Sequence, residues 1–388
     1  MRFILTINAG SSSIRFAFYQ AGGTLEKQLH GKVDRIGSHD TSLTFSDARD
    51  ASASLPMPEG ASAAEFLLNW LEQQPLFQRV SDVGHRIVHG MHHSAPERIT
   101  EELLQELRSI SFYDPEHLPR EIELIEAMQK RHPQLPQTAC FDTAFHQTMP
   151  RVAKMLAIPR RYEAQGVQRY GFHGLSYAYL MEELVQLGDH AARSGRVVLA
   201  HLGNGASLAA VREGKGMDTS MGFTPASGLV MSTRSGDLDP GLVSYLSRTE
   251  GMTAAQFQHL VNHESGLLGV SETSSDMRDL LEKESTDARA AEAVALFCYQ
   301  AKKWIGSFAA ALGGIDTLVF AGGIGENCAP VRSRICAGLG FLGIELHEQR
   351  NADHEAVIST VSGRVKVRVI RTDEELMIAR LVLRQDHP

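Results

Sequence analysis

The chain has 388 residues, more than one ordinary domain, so two core-forming units, or one large α/β unit with an insertion, are expected. Hydrophobic residues make up 43% and charged residues 22%, with 34 Gly and 14 Pro, a balance that excludes collagen-like, coiled-coil and disordered classes. Lys plus Arg number 38 against 46 Asp plus Glu, a net charge of -8, so no global basic field draws the chain to nucleic acid or anionic membrane, and charged ligands must be held by local sites.

The sequence opens directly on the apolar, β-branched run of residues 2–8, without a basic stretch and cleavage site, so no signal peptide is expected. That run ends in Ala9-Gly10-Ser11-Ser12-Ser13 and resumes at Ile14–Tyr19, which reads as strand, tight turn, strand, with hydroxyls and backbone N–H groups lining the turn. Residues 40–60 are rich in Ser, Asp, Ala and Pro and read as an exposed connection. Three-and-four spacing of apolar residues predicts amphipathic helices over 61–70, 101–110 and 120–130, with a strand over 80–89 between the first two. Composition shifts at the Pro-punctuated segment around Pro150 and Pro159, which puts a domain boundary near residue 148. Residues 196–202 then repeat the opening logic, an apolar strand running into Gly203-Asn204-Gly205-Ala206-Ser207 and resuming over 208–212. A long helix is expected over 289–311. A buried strand at 317–320 enters the glycine turn 321–327, and another strand covers 365–370. Thr372-Asp373-Glu374-Glu375 fits a capping box opening a helix over 376–384, placed to pack back on the first domain. The most apolar window, 305–324, is broken by Asp316 and glycines, so no membrane span is expected. Four scattered cysteines without a C-x-x-C pair suggest neither a disulfide framework nor zinc, and fit a cytoplasmic setting.

Three glycine-bearing turns after buried strands offer unhindered N–H groups of the kind a nucleotide's phosphates require. One alone would meet only a tight connection's need for positive φ. None is a Walker motif or a dinucleotide fingerprint, which disfavours those enzyme classes. Arg86, His173 and Arg234 sit in polar, Gly-bearing segments. Singly, such an arginine reads as a surface ion pair and such a histidine as core packing; together with the turns they resemble an anion clamp suited to phosphoryl transfer. Asp142 is a carboxylate among aromatic residues. No His/Cys/Glu cluster has the spacing of a closed metal site, so a metal would be hydrated Mg²⁺ held by few protein oxygens.

The segments 7–13, His85–Gly90, Phe141–His146, Tyr170–Gly174, His201–Gly205, Gly222–Pro225, Thr233–Asp239, Ser275–Arg278, Gly323–Asn327 and Glu374-Glu375 resemble the acetate kinases, in family order from residue 4 to residue 380. The resemblance implies an α/β fold of two duplicated actin-like (ribonuclease-H-like) domains with an active-site cleft between them. Residues 1–148, completed by 372–388, would form the first, and 149–371 the second, carrying the adenosine site. It implies reversible transfer of the ATP γ-phosphoryl group to acetate, with Mg²⁺ (or Mn²⁺) required and a homodimer as the assembly. By position, Asn8 and Glu374 resemble the metal-associated residues. Ser11, Ser13 and Arg15 resemble the first phosphate turn, and His201, Leu202, Gly203, Asn204 and Gly205 the second. Asp276, Met277, Arg278, Gly323, Ile324, Gly325, Glu326 and Asn327 resemble the adenosine site. Arg86, Asp142, His173 and Arg234 resemble the catalytic group, and Arg86, Val88, Leu118, Phe172 and Pro225 the acyl site.

Acetate is already ionised at neutral pH, so Asp142 is expected to orient Arg86 and the hydrated metal rather than act as general base, and transfer is expected to be direct and in line. The sequence departs from the family pattern at Arg15, at Phe112-Tyr113-Asp114-Pro115, at Ser232, and at Met91-His92-His93, where the family has Gly-Glu after Gly90. The alternatives are a propionate or butyrate kinase, a pyrophosphate-dependent relative, or a nucleotide-switched binding protein of the actin or chaperone type. The last has no need of a site for a second anion.

Overall fold

Strand β1 (Arg2–Ala9) is buried along nearly its whole length, because its apolar residues serve both faces of a sheet. The computed structural model describes residues 2–10, 12–37, 40–49 and 51–385. Two compact units emerge: residues 1–145, 174–179 and 373–388 form the first, and 146–173 and 180–372 the second. Residues 174–179 thus join the first unit although they lie within the range expected for the second domain.

In the first unit β1 is followed by β2 (Ile14–Ala21), β3 (Glu26–Asp34), β4 (Ser42–Asp47), β5 (Ser52–Pro56), β6 (Val80–Ile87), β7 (Glu97–Arg98) and β8 (Gln137–Phe141). They form one sheet in the order β5-β4-β3-β2-β1-β6-β8-β7. β1 to β5 run as an antiparallel meander, while β6 lies parallel to β1 and β8 parallel to β6. The exposed connection expected over 40–60 is therefore corrected: it holds β4 and β5. β5 is exposed at every position, so no apolar alternation betrays it.

On one face of this sheet Phe3, Leu5, Ile7, Ile14, Phe16 and Phe18 pack with Leu67, Trp70 and Leu71 of the helix Ala63–Glu72 and with Leu124 and Met128 of the helix Leu118–Arg131. The helix Glu374–Gln385 approaches β6 so closely that a Cβ at Gly84 would lie 2.4 Å from Ile378 Cγ2 and 2.8 Å from Val382 Cγ2. The expected packing of this helix on the first domain is thus present. Its cap is Asp373 rather than Thr372, since Asp373 Oδ1 accepts the Leu376 N–H at 2.8 Å.

The second unit carries β9 (Arg196–Leu202), β10 (Ala206–Arg212), β11 (Lys215–Thr219), β12 (Thr317–Ala321) and β13 (Lys366–Val369), ordered β11-β10-β9-β12-β13. An antiparallel three-stranded meander again meets two parallel strands, β12 beside β9 and β13 beside β12. This is the arrangement of β3-β2-β1-β6-β8, so the repeat legible in the two glycine/serine hairpins extends to five strands. The long helix expected over 289–311 spans Ala288–Leu312, capped by Asp287 and ended by Gly313 in the left-handed conformation, φ 74°. The glycine turn expected over 321–327 is instead the short helix Gly322–Asn327, entered directly from β12. All four cysteines are free thiols, and among the described residues no helix is long and apolar enough to cross a membrane.

Candidate functional site

Arg86 lies on β6 with its guanidinium held on three sides. Nη2 donates to Asp142 Oδ2 at 3.0 Å, and Nη1 donates to Glu121 Oε1 at 3.2 Å and to the Ala9 carbonyl at 2.9 Å. The Asp142 and Glu121 side chains are each 1% exposed and that of Arg86 11%, so this ion cluster is largely dehydrated. β6 and β8 are parallel neighbours paired through Ile87 and Phe141, which brings Arg86 and Asp142 side by side. The Asp142 N–H donates to the Ile87 carbonyl at 2.8 Å, and Asp142 Oδ1 accepts the Leu175 N–H at 3.2 Å. Burial works against the Arg86 charge, but Asp142 and Glu121 outweigh it and raise its pKa. Burial lifts Glu121 above the usual carboxylate range while Arg86 and the Val88 N–H pull against it.

Glu121 was absent from the sequence-based site. Its signal is an acid on the buried face of the helix Leu118–Arg131, among Leu118, Ile122, Leu124, Ile125 and Met128. Its other oxygen accepts the Val88 N–H at 2.9 Å. Val88 and Leu118, both assigned to the acyl site, are wholly buried in this unit.

The hairpin turn after β1 is tied to the same cluster. Arg86 holds the Ala9 carbonyl and Arg120 Nη1 donates to the Gly10 carbonyl at 3.0 Å, while the Gly10 N–H closes the turn on the Ser13 carbonyl at 2.7 Å. Ser11 lies outside the described residues. Arg15 extends from β2 as an exposed side chain whose charge is felt at Glu375.

Asn8 and Glu374 meet. Asn8 Nδ2 donates to Glu374 Oε2 at 2.8 Å and also to Glu375 Oε1 at 3.0 Å, so a second carboxylate joins the expected pair. Burial raises the Glu375 pKa, with Arg15 pulling against it. Two converging carboxylates and an amide, in a place that penalises uncompensated negative charge, fit a hard, oxygen-seeking divalent cation such as Mg²⁺.

In the second unit, His173 caps the helix Gly174–Gln186 from the left-handed region, φ 59°. Its ring stacks on His201, centroids 4.4 Å apart, and its Nδ1 lies 2.8 Å from Ser207 Oγ. A Cβ on Gly205 would stand 3.2 Å from His173 Nε2 and 3.6 Å from Arg234 Nη1, so these two groups converge on one glycine of the second phosphate loop. The Gly203 N–H donates to the Gly205 carbonyl at 3.1 Å, and the Ser232 N–H to the Asn204 carbonyl at 3.1 Å. Ser207 was not in the sequence-based site; its position in the hairpin turn motif is the only signal it offers.

Parallel pairing of Ala321 with His201 sets the loop 203–205 beside the helix Gly322–Asn327. A Cβ on Gly322, φ +75°, would lie 2.7 Å from the Leu202 carbonyl oxygen, and one on Gly203 would lie 3.9 Å from the Gly323 nitrogen. The helix is fixed from below by the buried Arg332, whose Nη1 donates to the carbonyls of Gly325 at 2.8 Å and Glu326 at 2.9 Å. Glu326 Oε1 accepts from the Gly322 and Thr372 N–H groups, and Asn327 Nδ2 donates to the Gly323 carbonyl. Ile324 is half-buried.

Asp276 caps the helix Met277–Lys283 and is paired with Arg278 at 2.6 Å, which holds its carboxyl below the usual range; Met277 is buried. Phe172 and Pro225, assigned to the acyl site, are buried in this unit.

Two sheets that share one five-strand arrangement, with a buried arginine–carboxylate cluster in the first unit and a half-buried His173–Arg234 pair beside the glycine loop of the second, define an α/β phosphotransferase. The acetokinase family model matches residues 3–380, and the chain belongs to that family. It is 44% identical over 390 residues to an acetate kinase of Rhodopseudomonas palustris, covering 98% of each chain. The crystal structure of an acetate kinase from Porphyromonas gingivalis superposes with a TM-score of 0.89 at 35% identity, covering 99% of each chain. That of a propionate kinase from Francisella tularensis superposes at 0.91 and 35%, covering 98% of this chain and 99% of that one.

Proposed function

We propose that the protein is an acetate kinase, transferring the γ-phosphoryl group of ATP reversibly to a carboxylate oxygen of acetate to give acetyl phosphate and ADP. The observation that carries this reading is the family match from residue 3 to residue 380, within which the Arg86–Asp142–Glu121 cluster lies.

The chemistry asks for charge neutralisation more than for proton transfer. Acetate is ionised at neutral pH and attacks without losing a proton. Two anions must nevertheless approach, and the phosphoryl oxygens gather charge as they do. Arg86, locked by Asp142, Glu121 and the Ala9 carbonyl, needs no reorganisation to meet that charge. His173 and Arg234 serve the same end from the Gly205 loop. Asp142 positions Arg86, so no phosphoenzyme and no general base are invoked. The loops 203–205 and 322–327, with Asp276 and Arg278, hold the nucleotide, and Ser11, Ser13 and Arg15 hold its phosphates. Val88, Leu118, Phe172 and Pro225 contribute the apolar surface for the methyl group. Asn8 and Glu374, with Glu375, would hold Mg²⁺, which when bound neutralises phosphate charge. The active form is a homodimer in the cytoplasm.

The second reading, propionate kinase, draws on the likeness to the Francisella enzyme. One methylene in an apolar pocket is worth only about 1–3 kcal/mol, so pocket residues do not decide it. The deciding experiment compares kcat/KM for acetate, propionate and butyrate with ATP and Mg²⁺, trapping acyl phosphate with hydroxylamine, in parallel with Arg86→Ala. Highest kcat/KM on acetate and its collapse in the variant are expected. Preference for propionate selects the second reading, and ATP hydrolysis indifferent to every acid overturns both.

A further inference from the structure

The segment after β6, Met91-His92-His93, has no part in the proposed phosphoryl transfer, yet it builds a site of its own. Met91 takes a left-handed conformation, φ 47°, and the His93 N–H closes on the Gly90 carbonyl at 2.7 Å, which turns both histidines toward the helix Glu101–Ser109. There one imidazole nitrogen from each and a carboxylate oxygen of Glu106 all lie within 4.8 Å of one another. His93 Nε2 is 3.3 Å from Glu106 Oε1, and His92 Nδ1 is 3.9 Å from it.

Tetrahedral ligands about 2.1 Å from a zinc ion stand about 3.4 Å apart, so the His93–Glu106 edge is already at that separation. The His92 side chain, 77% exposed, is free to close the remaining gap.

His93 is the anchor. Its side chain is 9% exposed and its ring is stacked between Phe141, at 4.8 Å, and His92, at 4.5 Å. Nδ1 lies 2.6 Å from Glu97 Oε1. With Nδ1–H donating to that carboxylate, the neutral ring presents the Nε2 lone pair toward Glu106, and Nε2 makes no hydrogen bond among the described residues. A divalent cation between that nitrogen and the Glu106 oxygen 3.3 Å away would be coordinated by both. An outer carboxylate fixing the tautomer of a ligating histidine is the arrangement metal sites use.

We propose that His92, His93 and Glu106 bind a divalent transition metal ion of the zinc type, with Glu97 orienting His93 and the fourth position left to solvent. Two imidazoles and one carboxylate suit zinc or cobalt over magnesium. The site pins the loop after Val88 to the helix Glu101–Ser109, and stands independently of the substrate assignment.

The test uses the full chain, dialysed free of metal and kept in excess Mg²⁺, titrated with Zn²⁺ and separately with Co²⁺. One equivalent of Co²⁺ per chain with the visible bands of tetrahedral coordination is expected, and a melting temperature that rises with Zn²⁺. His92→Ala and Glu106→Gln, both at accessible positions, should each weaken binding at least tenfold, and Glu97→Gln by roughly 10–100-fold, with folding confirmed by circular dichroism. Absence of the cobalt spectrum and of the zinc-dependent stabilisation, or binding that His92→Ala leaves unchanged, overturns the proposal. The His93–carboxylate contacts would then be plain ion pairs.

Discussion

Glu121 braces Nη1 of Arg86 while Asp142 holds Nη2, and the second Glu121 oxygen accepts the Val88 N–H. Both oxygens therefore face donors. In Glu121→Gln the amide nitrogen must be turned toward one of them, leaving a buried donor against a donor. A loss of about 1–3 kcal/mol is expected, with a fall in kcat. Urea denaturation and steady-state kinetics check it; a variant matching the parent in both would show that Glu121 is not an ionised brace.

Asp142→Asn should lower kcat on the order of 100-fold while leaving nucleotide affinity within a few-fold, because Asp142 touches Arg86 and the Leu175 N–H. Nucleotide binding by calorimetry, set beside turnover, separates the two. Near-parental kcat removes Asp142 from the mechanism.

Gly205 and Gly322 should fail differently on substitution by alanine. At Gly205 the new methyl group crowds His173 and comes into contact with Arg234, so turnover should drop at least tenfold with little change in melting temperature. At Gly322 the positive φ and the Leu202 carbonyl oppose any side chain, so stability should fall by about 1–3 kcal/mol. Equal behaviour of the two variants would contradict this division.

Asn8→Ala and Glu374→Gln should each raise the Mg²⁺ concentration for half-maximal activity roughly tenfold at fixed ATP. An unchanged magnesium curve would move the metal elsewhere.

Acid should destabilise the first unit through His85, which is 2% exposed on β6, with Nε2 2.7 Å from Gln137 Oε1. Burial pushes its pKa down to about 4. Below the ordinary value near 6.5 the unfolded chain takes up a proton that the native ring refuses, so stability present at neutral pH is lost as pH falls toward 4. About 2 kcal/mol should disappear between pH 7 and about pH 5. Melting curves across that range should flatten in His85→Asn; the same slope in parent and variant would assign the loss to other groups.

The elements most legible in the sequence were those whose apolar residues are buried in a regular rhythm. β1, β2, β9 and β10 are apolar runs broken by small-residue turns, and the helices Leu118–Arg131 and Ala288–Leu312 carry stripes at three-and-four spacing. β4 and β5 were invisible because an edge hairpin with few buried residues writes no pattern. The segment 321–327 reads as a turn because helix propensity disfavours glycine, whereas Arg332, beyond the segment, holds the Gly325 carbonyl and Glu326, within it, accepts the Gly322 N–H. Arg86 and Asp142 were recognisable as a pair through resemblance. Glu121 was hidden, since a single acid in an apolar stripe acquires meaning only when β6 is laid beside it.

The helix Glu374–Gln385 lies in the groove left by Gly84, though nearly three hundred residues separate the two in sequence. As a nascent chain leaves the ribosome, residues 146–372 emerge before this last wall of the first sheet is made. The apolar face bearing Gly84 must wait uncovered through that interval. Factors that shield newly made chains would find a target there, and truncation before Ile378 should cost solubility before it costs secondary structure.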